Sequence, residues 1–169
     1  EVASDSFGGS GQTESYRFEA ELDAEGRVEV SLNVDSTAGD EEIYVDNFTI
    51  TSGDNWSNAA PAVNIEPNAV DDGPGAAGGV LVSESFDDGV EGGQASAAGD
   101  RLFLDQDQTA TKTFDFGPEH AGQTVIIEFD TETDGGWESS GQWQDYFNVS
   151  LNGTEVASDS FGGSGQTES

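Results

Sequence analysis

Apolar and polar residues alternate with period two along most of this chain, and a period of 3.6 is almost nowhere present. Tyr16, Phe18, Ala20 and Leu22 share one face of an extended segment; Val28, Val30, Leu32 and Val34 do the same after Ala24-Glu25-Gly26. Successive side chains of a strand point to opposite faces, so this pattern dictates half-buried β-strands rather than amphipathic helices. Residues 16–34 read as a hairpin and 43–51 as a further strand. Strands follow at 80–86, 101–105, 109–116, 123–131 and 144–151, the last turning through Asn152-Gly153 into 155–161. Asn-Gly between alternating runs is the strongest short hairpin signal. Residues 54–79, rich in Pro, Gly, Ala and Asn, hold no sustained period and read as a linker.

A second feature places these strands in order. EVASDSFGGSGQTES occupies residues 1–15 and again 155–169, letter for letter, a period of 154. Identity over fifteen residues marks a window cut from a tandem array, internal to something longer. Residues 1–53 then supply the C-terminal strands of one unit, and 80–169 the N-terminal strands of the next. A complete unit of 128 residues would run from Val80 to Ser169 and on through 16–53. Eight or nine strands in that length suit a two-sheet antiparallel sandwich, with a jelly roll the favoured arrangement. As given, the chain is a circular permutant. Residues 16–53 either fold back onto 80–169 or complete the sandwich of a neighbouring copy, a head-to-tail contact that propagates as a filament if it does not close.

Charge narrows the setting. There are 35 Asp and Glu against 4 Lys and Arg, a formal charge of −31. Such a chain is not steered to nucleic acid or to an anionic membrane. No apolar stretch approaches the roughly 20 residues that span a bilayer. Low hydrophobicity with high charge usually means disorder, yet 10 Phe, 3 Trp and 3 Tyr in alternating runs argue for a folded core. Molar salt, where the Debye length shrinks to about 3 Å, or bound divalent cations would reconcile that charge with folding. The chain has no Cys, which removes disulfides and thiolate chemistry together.

FDFGPEHAGQTVIIEFDTETDGGWESSGQWQDYFNVSLNGTEV resembles the jelly-roll repeats of giant secreted adhesins and surface proteins of bacteria and haloarchaea. NAVDDGP resembles the linkers between their modules; SESFDDG and IYVDNFTI resemble the first and last strands of carbohydrate-binding-module and lectin-like jelly rolls. The resemblance implies an extracellular, cell-surface spacer or adhesive module, partnered by neighbouring identical repeats or subunits, with structural calcium and no enzymatic activity.

Calcium takes six to eight oxygen ligands, and this chain offers little else. Glu84 alternates with Val80, Val82 and Phe86, and Asp46 with Tyr44, Phe48 and Ile50, so each carboxylate is expected to point toward the core. A buried carboxylate needs a partner, and with four basic residues a metal outranks a salt bridge. The resemblance extends that role to the turn residues Asp87 and Asp88. A second cluster, Asp130, Asp134, Glu138 and Asp145, is either a further metal site or a solvated acidic rim. Trp137 and Trp143, in GGWESSGQW, either stack on a sugar ring, which would make the chain a carbohydrate-binding module, or cap one end of the sandwich. Trp56 is placed to anchor the linker.

Four N-glycosylation sequons begin at Asn47, Asn55, Asn148 and Asn152. They suit a glycosylated, halophilic surface protein, although Asn152 also serves the turn. Nothing supports catalysis. His120 is the only His, set in the turn FGPEHAGQ and expected in solvent, with no triad partner. No two of the 35 acids stand out as a glycosidase pair, and the Gly-rich stretches lack the Lys-Ser/Thr of a phosphate loop.

Overall fold

The computed structural model describes residues 11–36, 41–54, 56, 79–84, 94–95, 101–138 and 142–161. Ten strands account for nearly all regular structure. They are β1 (Gln12–Glu21), β2 (Arg27–Asp35), β3 (Glu42–Ser52), β4 (Val80–Glu84), β5 (Gln94–Ala95), β6 (Leu102–Leu104), β7 (Thr109–Asp115), β8 (Thr124–Asp134), β9 (Tyr146–Leu151) and β10 (Thr154–Asp159). A single 3-10 turn, Pro118–His120, interrupts them. No helix among the described residues is long and apolar enough to cross a membrane.

Two antiparallel sheets face each other. One runs β1-β8-β3-β6-β5, with β4 also paired to β3; the other runs β10-β9-β2-β7. Counted from Val80, with β1 to β3 as the last three strands, this is the strand order of a jelly roll. The first strand of that count, β4, lies beside the last, β3, with Ile50 opposite Val82. The chain closes on itself, because residues 12–52 pair with residues 80–151 of the same molecule.

The alternation found in the sequence becomes the core. Val28, Val30, Leu32 and Val34 of β2 are buried, as are Tyr16, Phe18 and Ala20 of β1. Aromatic rings tie the two sheets: Tyr16, stacked on its strand partner Phe129 at 5.1 Å, meets Phe147 of the facing sheet edge-on at 5.7 Å, and Phe48 stacks across on Phe114 at 5.5 Å. Each such side chain contributes about 1.5–3 kcal/mol by burial.

Two expectations about the strands need correction. Residues 16–34 are not a hairpin: β1 pairs with β8 in one sheet, and β2 with β7 and β9 in the other. The connection is an arch over the end of the core. Asp23 Oδ1 accepts the Glu25 and Arg27 N–H groups at 2.9 Å each, and those bonds hold its carboxyl below the usual carboxylate range. Hairpin and arch bury the same residues, so period alone does not separate them.

Asp46, in turn, does not alternate with Phe48 and Ile50. A β-bulge between Asp46 and Thr49 inserts Asn47 in a left-handed conformation, φ 53°. Ile43 and Val45 face the core before the bulge, Phe48 and Ile50 after it. An added residue reverses the phase, and Asp46 therefore stands with Tyr44 on the outer face.

The linker region begins and ends at one pole of the sandwich. Ser52 N–H donates to Gly79 C=O at 2.9 Å, and Gly79 N–H returns to Ser52 Oγ at 3.1 Å. Trp56 docks there, stacked on His120 at 4.2 Å and edge-on to Phe116 at 5.9 Å. His120 is buried rather than solvent-exposed, with Nδ1 3.0 Å from Gln123 Oε1. The linker residue Trp56 covers it.

Candidate metal centre

At the opposite pole three carboxylates converge. Glu41 precedes β3, Asp145 precedes β9 and Glu138 lies in the loop between β8 and β9; their carboxylate oxygens all fall within 4.8 Å of one another. Glu41 is 1 % exposed and Asp145 0 %, while Glu138 reaches them from the surface.

Local structure fixes this arrangement. Trp137 is buried and its indole N–H donates to Asp134 C=O at 2.9 Å and to Glu42 C=O at 3.2 Å, locking the end of β8 against the start of β3. The loop is then pinched at its base: Asp145 Oδ2 accepts the Glu138 N–H at 2.8 Å, and the Asp145 N–H donates to Glu138 C=O at 2.9 Å. Phe161 packs edge-on against Trp137 at 5.1 Å, bringing the middle of the second fifteen-residue copy to this pole. Gln12 Oε1, at the first residue of β1 and the same end, is buried with no hydrogen-bond partner among the described residues.

Burying carboxylates side by side demands a counter-charge. All four basic side chains are engaged elsewhere: Arg17 with Glu19 and Glu128, Arg27 with Asp23 and Glu25, Arg101 with Glu132, Lys112 with Glu84. The ligand atoms in the cluster are oxygens alone, a set that suits a hard divalent cation better than zinc or copper.

This is not the site expected at Glu84, Asp46, Asp87 and Asp88. Glu84 carries the salt bridge to Lys112. Asp46 lies on the outer face, in a groove of about 340 Å³ shared with Tyr44, Asn47, Arg101 and Asp130. Asp87 and Asp88 lie outside the described residues. Of the second cluster, Glu138 and Asp145 do come together. Asp130 instead accepts hydrogen bonds from Ser15 Oγ at 2.6 Å and Asn47 Nδ2 at 2.8 Å in the outer groove, and Asp134 is an exposed strand end. Glu41 was missed, though its signal is in the sequence: it alternates with Ile43 and Val45 just as Asp145 alternates with Phe147, Val149 and Leu151.

The two tryptophans part company. Trp137 is a core residue capping the sandwich, which leaves it no face for a sugar; Trp143 is 58 % exposed. The sequon amides are in use. Asn47 donates to Asp130, Asn148 Nδ2 donates to Asn33 Oδ1 at 3.1 Å, and Asn152 Oδ1 accepts the Glu29 N–H at 2.9 Å. Asn55 lies outside the described residues. No family model, curated protein or solved structure matches this chain.

Proposed function

We propose that this chain is an extracellular structural repeat of a surface adhesin or filament, a jelly-roll unit whose fold is fastened by calcium. The observation that carries the metal is the convergence of Glu41, Glu138 and Asp145, two of them fully buried. The cluster also joins segments distant in sequence, since Glu41 leads into β3 and the other two lie in the loop before β9. A cation there holds the two halves of the unit together. The exact fifteen-residue repeat supports the tandem reading, and the charge of −31 suits a salty exterior.

The test is stability against denaturant with calcium and with chelator. Calcium should raise it in the native chain and not in Asp145→Asn; equal stability in both conditions would reject the metal. A second reading, a carbohydrate-binding module, is favoured by one feature, the exposed ring of Trp143. Saturable binding on a glycan array, abolished by Trp143→Ala with folding intact, would establish it in place of the spacer.

A further inference from the structure

The first three strands form an arm, β1 to β3, and the remaining seven a body. Among the described residues no arm strand pairs with another. β1 lies along β8; β2 fills the gap between β7 and β9; β3 fills the gap between β8 and the β4 and β6 edge. Without the arm, β7 has no neighbour in its sheet, and β8 is cut off from β6. The body is thus built around two open slots, and among the described residues every strand pairing of the arm is made with the body.

The duplicated ends show who else can supply that arm. This sandwich uses the first part of the second copy, with residues 155–159 in β10 and Phe161 buried, and the last part of the first copy, with residues 12–15 opening β1. Because the copies are identical, residues 162–164 correspond to 8–10 and lead from Phe161 to the equivalent of Gly11. Both places lie at the same pole. Gly11 N–H donates to Thr133 C=O at 2.6 Å, Phe161 packs on Trp137, and the Tyr16 hydroxyl is held by Asp159. An arm that followed the body would enter the same slots through three residues. The arm that precedes it enters through residues 54–78, whose flanking residues hydrogen-bond to each other at Ser52 and Gly79.

We propose that the two slots accept the arm of either flanking copy, so that copies of this unit join by arm exchange. The inference rests on reading the chain as a repeat unit. Tether length decides the competition. Of two tethers that both reach the slots, the shorter holds its arm at the higher effective concentration, so an arm on the three-residue tether outcompetes one on the long linker. A released arm then fills the slots of the preceding body, which makes the linker the joint between units.

The experiment appends a second copy of residues 16–53 after Ser169, giving the body an arm on each side. The chain has no Cys, so Glu19→Cys in the N-terminal arm and Thr113→Cys on the body, both exposed positions, take a donor and acceptor pair cleanly. In the 169-residue chain the pair should show high transfer. In the extended chain most molecules should lose the high transfer. High transfer retained by most extended molecules would overturn the exchange while leaving the repeat-unit reading intact. Low transfer in the 169-residue chain itself would overturn both. Should the labels perturb folding, hydrogen exchange on the unlabelled extended chain, its appended arm marked by Thr49→Ser, reports which arm is protected.

Discussion

Lys112 Nζ meets the Glu84 carboxylate from the opposite sheet, the only lysine of the chain reaching across the sandwich from β7 to β4. The Glu84 side chain is 11 % exposed and that of Lys112 33 %, and the ammonium also lies 5.7 Å from the Phe114 ring. Lys112→Met removes the cation from a nearly buried carboxylate. The loss should be about 2 kcal/mol, below the roughly 3–5 kcal/mol of a fully buried pair because Lys112 is partly solvated. Glu84→Leu added to Lys112→Met should restore most of it. Chemical denaturation of both variants checks this, and equal stability of Lys112→Met and the native chain would show that the bridge contributes nothing.

The metal proposal predicts a split between two aspartates. At free calcium a hundredfold above the dissociation constant, ligand binding adds about 2.7 kcal/mol to the native chain. Asp145→Asn should lose most of that increment while remaining no less stable than the native chain in chelator, since it also relieves repulsion among the three carboxylates. Asp46→Asn, on the outer face, should keep the full increment. Loss of the calcium response in Asp46→Asn alone would move the metal to the outer groove.

Asn47 sits at the β-bulge with φ 53°, where a β-branched residue is strained. Asn47→Val should cost about 1–3 kcal/mol, combining that strain with loss of the bond to Asp130. Asn47→Gly keeps the backbone at ease and should cost clearly less. If both variants unfold at the same denaturant concentration, the hydrogen bond and not the backbone accounts for the residue.

The bulge also explains where sequence reading succeeded and where it stopped. Alternation gave the strand positions and the buried sets of β1, β2 and β9, because a period of two survives wherever the chain is regular. Asn152 and Gly153, at φ 49° and 74°, form the tight turn their identity foretold. One inserted residue at Asn47 was enough to turn Asp46 outward, and no alternation rule registers an insertion. The arch after Leu22 escaped for another reason: facing sheets and paired strands bury the same side chains, so partner choice is decided by contacts far along the chain. The metal cluster was half legible. Asp145 and Glu138 stood out as acids near one another in sequence, but Glu41 joins them only through the pairing of β3 with β8.

Tyr16 provides a pH test of the joint between β1 and β10. Its hydroxyl donates to Glu14 Oε2 at 3.2 Å and is also held by Asp159. Burial first, then the negative charges of Asp159 and Glu14, push its phenol far above the ordinary 10.0. The folded chain therefore keeps this proton where the unfolded chain releases it. Stability from the group is fully present below pH 10 and declines as pH rises beyond, by about 1.4 kcal/mol per unit. Tyr16→Phe should cost about 1 kcal/mol at neutral pH through its lost hydrogen bonds, yet flatten most of the alkaline decline. Tyr44, raised chiefly by its bond to Glu42 and far less buried, leaves a smaller residue of that slope. Unfolding curves between pH 8 and pH 11 decide the matter, because an equally steep decline in Tyr16→Phe would show that the buried phenol does not couple folding to pH.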